Sequence, residues 1–195
     1  MSDIQHTRES LLLRLQNKRD QFSWKEFCEA YERYIYLVIR GMKMDHHDAE
    51  DLTQNVLIKV YENIAAYDYS PEHSRFRTWL SKICRNQVID YVRKMNAESK
   101  RVENYYQKAA QMTQPQVDAL AESEWKAHVT TSAWDNIQNK FRGNATSCFE
   151  KINGGQKVAE VAQELGLSES SVYVYFKRVK DHLIAEVRRL ENAWG

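Results

Sequence analysis

Apolar residues recur at steps of three and four along nearly the whole chain. In residues 24–41, Phe27, Tyr31, Tyr34 and Val38 follow one another at steps of four, three and four, which predicts a helix with one buried stripe. A short helix is expected before Trp24. A further helix begins after Asp45, a good N-cap residue with Asp48 three positions on, and places Ala49, Leu52, Val56, Val60 and Ile64 on one side. The next starts near Phe76 and runs past Tyr91. On its wheel Leu80, Cys84, Val88, Tyr91 and Met95 gather as the buried stripe, while Thr78, Lys82, Arg85, Asn86, Ile89 and Arg93 share the opposite face with Trp79 at its edge. No β-branched run alternates with period two, and only six glycines and two prolines interrupt the pattern. The expected fold is all-α, with loops around Pro71 and Pro115.

Residues 97–124 are polar and carry few strong core formers, so they read as a linker between two small helical domains, 10–96 and 125–193. In the second, KVAEVAQELGLSESSVYVYFKRVKDHL (157–183) reads as helix, turn, helix. Val158, Val161, Ala162 and Leu165 form the first stripe. Gly166 ends that helix, Ser168 caps the next, and Val172, Phe176, Val179 and Leu183 face inward. Ser170, Ser171, Tyr173, Val174, Lys177 and Arg178 are left outward near the start of the second helix. A recognition helix presents its side chains to the major groove of DNA from that position. A structural helical hairpin is the alternative.

Hydrophobic residues at 43% and charged residues at 28% fit a soluble globular protein. The longest apolar run, 34–39, is far short of the roughly 18–20 residues of a membrane helix. The N-terminus shows no signal-peptide pattern, so no membrane insertion is expected. Cys28, Cys84 and Cys148 are odd in number and far apart; with no disulfide framework or metal knuckle, a reducing cytoplasm is expected.

A net charge of +1 points to no partner, but its distribution does. Residues 75–101 hold Arg75, Arg77, Lys82, Arg85, Arg93, Lys94, Lys100 and Arg101 against Asp90 and Glu98, whereas residues 45–51 hold four acids and no Lys or Arg. Cations neutralise phosphates, an Asn pairs with a base edge, and a Trp stacks on a base. The 76–94 helix is therefore a candidate nucleic-acid face, with a solvated basic face as the alternative.

DAEDLTQNVLIKVYENIAAYD (48–68), SRFRTWLSKICRNQVIDYVRK (74–94) and the helix-turn-helix, in that order and spacing, resemble a bacterial RNA polymerase sigma factor of the extracytoplasmic-function class. The resemblance implies docking of Asp48, Glu50, Asp51, Gln54 and Asn55 on the clamp helices of the polymerase β′ subunit, with the β subunit also contacted; the helical wheel adds Ile58 to that outward face. An outward Ile58 suits an interface better than water. It implies promoter melting and minus-ten reading by Arg75, Arg77, Trp79, Lys82, Arg85, Asn86 and Arg93. Asn86 would hold a flipped base beside a pocket formed by loop 69–74, and Trp79 would stand at the strand junction. The C-terminal domain would read the minus-thirty-five element through Ser170, Ser171, Tyr173, Val174, Lys177 and Arg178. Members often carry Arg or Lys where this chain has Tyr173 and Tyr175. Promoter DNA, core polymerase and an anti-sigma factor are the implied partners, with no cofactor and no metal.

The competing reading is a stand-alone helix-turn-helix regulator whose N-terminal domain dimerises or senses a ligand; it would protect two half-sites about one helical turn apart. An enzyme with a metal centre at His46, His47, Asp48, Glu50 and Asp51 is disfavoured. Glu50 and Asp51 point about 100° apart on a helix, and no second set of ligands is present in the sequence.

Overall fold

A computed structural model describes residues 9–17, 20–67, 76–98 and 106–194. Among these the regular elements are helical throughout, as the periodicity predicts. They are α1 (Glu9–Gln16), α2 (Gln21–Gly41), α3 (His46–Asn63), α4 (Phe76–Glu98), α5 (Gln107–Gln111), α6 (Gln114–Ile137), α7 (Ala145–Asn153), α8 (Val158–Leu165) and α9 (Glu169–Trp194). Arg75, the 69–74 loop, Lys100 and Arg101 lie outside the described residues. No described helix is long and apolar enough to cross a membrane.

The chain divides into two compact units, Met1–His128 with Ala193–Gly195, and Val129–Asn192. The first unit is built on aromatic rings. Phe27 and Tyr31 of α2 stack with centroids 4.7 Å apart, and Tyr31 meets Phe76 of α4 edge-on at 5.5 Å. Tyr31 also stacks on Trp125 at 5.3 Å, and Tyr34 meets Trp125 edge-on at 5.2 Å. Each such pair adds about 0.5–1.5 kcal/mol to the burial of its rings. Leu11, Leu12 and Leu15 bring α1 into this core, and Ala49, Leu52, Val56 and Val60 bring α3.

On α4 the stripe Leu80, Cys84 and Val88 is buried as expected, but it continues through Val92, not Tyr91. Tyr91 is half-buried because its hydroxyl is used on a carboxylate of α3.

Residues 106–124, read as part of a linker, are largely helical and partly buried. Tyr106, Ala109, Val117 and Ala121 are buried, and the unit boundary falls inside α6. The reason is a narrow stripe, Val117, Ala121 and Trp125, at four-residue spacing. Gln114, Gln116, Asp118, Glu122 and Glu124 dilute it in any window average.

In the second unit Cys148, Val161, Ala162 and Val172 form one buried cluster, and Ala145, Phe149 and Val179 a second. Tyr175 packs against both, and Phe176 and Leu183 pack against the latter. Gly166 closes α8 with φ 63°, the left-handed conformation that favours glycine. There the Leu167 amide donates to the Ala162 carbonyl at 2.9 Å. Ser168 then caps α9, its Oγ accepting from the Ser171 amide at 3.1 Å. The turn therefore forms for the reasons its residues suggest.

Candidate polymerase and nucleic-acid interfaces

Asp45 starts α3 as expected, accepting the Asp48 amide at 2.8 Å on its side chain. Glu50, Asp51, Gln54, Asn55 and Ile58 are exposed on that helix, Ile58 to 53%. Gln54 donates to Glu32 of α2 at 3.0 Å, and Glu50 lies 3.6 Å from His46 and 3.9 Å from His47. A groove of about 530 Å³ runs between α2 and α3, lined by Cys28, Glu32, Arg33, Tyr36, Asp51 and Gln54 among others.

Asp48 differs from the expectation. It is half-buried and accepts the Tyr91 hydroxyl at 2.5 Å on one oxygen. Its other oxygen lies 2.5 Å from the Tyr106 hydroxyl, which also reaches Asp45 at 2.6 Å. Both tyrosine hydroxyls are pushed up, first by burial and then by these carboxylates. The Asp45 carboxyl is held below its ordinary value, first by the Tyr106 hydroxyl and then by the Asp48 amide. Asp48 thus ties α3 to α4 and to the segment before α5. A wheel of α3 alone could not show this, because both tyrosines come from elsewhere in the chain. Among the described residues no group of three or more His, Cys, Asp and Glu is placed to hold a metal ion.

On α4, Lys82, Asn86 and Arg93 are exposed, with Arg93 3.5 Å from Asp90. Trp79 is half-buried in a ring cluster, its centroid 4.9 Å from Tyr67 and 5.5 Å from Phe76. Two residues expected to meet DNA are engaged within the protein itself. Arg85 Nε donates to the Met112 carbonyl at 2.8 Å. Arg77 is only 7% exposed, its guanidinium 4.7 Å from the centroid of the Trp125 ring. A planar, weakly hydrated guanidinium stacks readily on an indole, and the indole comes from a helix that the polar composition of 97–124 conceals.

The residues of this site that sequence reasoning missed are Ser81, Tyr106, Gln114, Asp118 and Trp125. Ser81 donates to Asp118 at 2.5 Å, and Gln114 reaches Ser81 at 3.1 Å and Asp118 at 2.7 Å. The signal that could have found them is the four-residue spacing of Val117, Ala121 and Trp125.

On α9 the outward set is where the sequence places it. Ser170, Tyr173, Val174, Lys177 and Arg178 are exposed, the tyrosine to 59% and the valine to 64%, and Ser171 is half-buried. The hydroxyls of Ser170 and Ser171 lie 2.9 and 2.8 Å from Ser168 Oγ. Arg178 lies 5.9 Å from the centroid of the Phe141 ring. A shallow surface beside it is lined by Val174, Lys177, Arg178, Asp181 and His182.

Residues 27–98, which hold most of α2 and all of α3 and α4, match the family Sigma-70 region 2. Over most of its length the chain is also similar to a class of whole proteins. It is 34% identical over 171 residues to the ECF RNA polymerase sigma factor SigM of Bacillus subtilis, spanning 86% of this chain and 96% of that relative. It is 35% identical over 77 residues to the ECF RNA polymerase sigma factor SigW of the same organism, covering 40% of each. With the ECF RNA polymerase sigma factor SigE of Mycolicibacterium smegmatis it shares 25% identity over 164 residues, 83% of this chain and 62% of the other. The chain belongs to the ECF RNA polymerase sigma factors.

Proposed function

We propose that this chain binds core RNA polymerase, recognises promoter DNA and opens it at the start of transcription. The functional division is 10–96 for clamp binding and minus-ten melting, 97–124 as the connection, and 125–193 for the minus-thirty-five element. Glu50, Asp51, Gln54, Asn55 and Ile58 of α3 dock on the β′ clamp helices, with the β subunit also contacted. Lys82, Asn86 and Arg93 of α4 meet the minus-ten strand, and Trp79 meets the strand junction. Tyr173, Val174, Lys177 and Arg178 of α9, with Ser170 and Ser171 at its start, meet the upstream duplex. The work is cytoplasmic, and an anti-sigma factor is a further partner.

The observation that carries this reading is Asn86, exposed between Lys82 and Arg93 and without a side-chain hydrogen bond among the described residues. An amide free on both edges, flanked by cations, suits capture of an unpaired base. Unpairing costs a few kcal/mol, offset by stacking of about 1–3 kcal/mol per base and by charge contacts. Run-off transcription with core polymerase and permanganate footprinting test the proposal. Asn86→Ala should lower open-complex formation roughly five- to a hundredfold, the loss of about 1–3 kcal/mol of base contact, with core binding and folding unchanged. Wild-type opening by that variant would remove base capture by Asn86. No promoter-dependent transcript from wild type and core would overturn the reading as a whole.

A further inference from the structure

Arg77, Ser81 and Arg85 stand four apart on α4 and form one stripe, and residues 112–125 cover all three. Arg85 donates to the Met112 carbonyl at 2.8 Å. Ser81 donates to Asp118 at 2.5 Å, with Gln114 bridging both side chains. Arg77 lies 4.7 Å from the centroid of the Trp125 ring. The cover is acidic: residues 114–125 contain Asp118, Glu122 and Glu124 and no Lys or Arg. The Asp118 carboxylate accepts from Ser81, which stands between the two arginines of the stripe, a place where a phosphate would find a hydroxyl with a cation on either side.

This seam is tight in one respect and poorly satisfied in another. The Leu120 side-chain tip packs on the bare backbone of Gly41, where an added Cβ would meet it at 2.7 Å. Yet Arg77 Nε and Nη1, Tyr34 Oη and Trp125 Nε1 are buried with no hydrogen-bond partner among the described residues. Permanent cores pair such groups almost without exception. A cover that leaves an arginine fork half-unpaired is one that a better acceptor can displace.

We propose that residues 112–125 and single-stranded nucleic acid compete for the Arg77–Ser81–Arg85 stripe of α4. This rests on the reading of α4 as the nucleic-acid face. Lys82, Asn86 and Arg93 make the first encounter, and departure of the acidic cover then brings Arg77 and Arg85 to the phosphates as well. In the free protein the cover keeps part of the cationic surface from non-specific nucleic acid.

Fluorescence anisotropy of the full chain with a fluorescein-labelled single-stranded oligodeoxythymidine tests this. Asp118→Ala should tighten binding by about threefold or more and steepen the log–log salt dependence by about 0.7 for each additional phosphate neutralised. Arg77→Ala in the Asp118→Ala background should abolish that tightening. Glu124→Gln removes the same charge from a side chain with no hydrogen bond to α4 among the described residues, and should tighten binding little. In the wild-type protein, the oligonucleotide should accelerate amide exchange over residues 114–125. The cover is overturned if folded Asp118→Ala binds like wild type, or if Glu124→Gln tightens binding as much as Asp118→Ala. It is also overturned if exchange over 114–125 slows or stays constant on binding. Lys82→Ala separates this failure from the deeper one. If Lys82→Ala weakens binding, α4 remains the nucleic-acid face; if it and Asp118→Ala both leave binding unchanged, that face is wrong and the proposed function loses it too.

Discussion

Asp48 and Asp51 stand three residues apart on α3 and serve different ends. Asp48 accepts hydroxyls from Tyr91 and Tyr106, whereas Asp51 is exposed on the groove beside α2. Asp48→Ala should therefore cost about 1–3 kcal/mol in chemical denaturation, because it strands the Tyr91 hydroxyl and leaves the Tyr106 hydroxyl only its bond to Asp45. Asp51→Lys should leave stability nearly unchanged and weaken the complex with core polymerase, since it reverses a charge on the proposed docking face. Equal stability loss in both variants would refute the division. Asp45 adds a pH dependence. Its carboxyl lies below the ordinary 3.8 chiefly through Tyr106, so its contribution is complete above pH 3.8 and is lost as pH falls through the lower folded-state value. Tyr106→Phe removes that cause. The stability gap between wild type and Tyr106→Phe, about 1 kcal/mol at pH 7, should narrow in thermal melts taken below pH 3.8.

At the scale of elements, the long strongly patterned helices were legible in the sequence and the diluted one was not. The spacings of Phe27, Tyr31, Tyr34 and Val38 and of Leu80, Cys84 and Val88 predict helices whose stripes are buried as read. The turn between α8 and α9 was legible because its chemistry is local: Gly166 supplies the left-handed backbone and Ser168 the cap. Residues 106–125 escaped because charged and amide side chains outnumber Val117, Ala121 and Trp125. The partners of Asp48 and Arg77 were hidden with them, since no wheel of one helix shows what another helix brings. The turn yields a prediction of its own. A Cβ on Gly166 meets nothing within 4 Å, so Gly166→Ala should lose only the cost of the left-handed backbone, about 1–2 kcal/mol, in thermal unfolding of the second unit. Gly166→Asn should lose less, because Asn visits that conformation more readily. A neutral Gly166→Ala would mean that φ 63° is not required there.

Across the whole chain, charge is unevenly distributed in a way that the net value does not reveal. The acidic α3 face, the cationic α4 face and the Lys177–Arg178 pair of α9 coexist in a chain of net charge +1, so bulk electrostatics alone would hide all of them. The three thiols are sorted as well. Cys84 and Cys148 are buried, and burial pushes Cys84 up to about 12, while Cys28 is half-exposed on the groove between α2 and α3. Burial first, and then Glu32 and Glu29, raise Cys28 too, so its thiolate is scarce at neutral pH and alkylation should quicken as pH rises. Iodoacetamide applied to the native chain should modify Cys28 well before the other two, read by peptide mass mapping; comparable rates at Cys84 would contradict its burial. A fluorophore attached there would sit beside Asp51 and Gln54. The groove thus carries a built-in attachment point for an optical reporter, one whose brightness should change when core polymerase covers α3, with no residue of the proposed docking face altered.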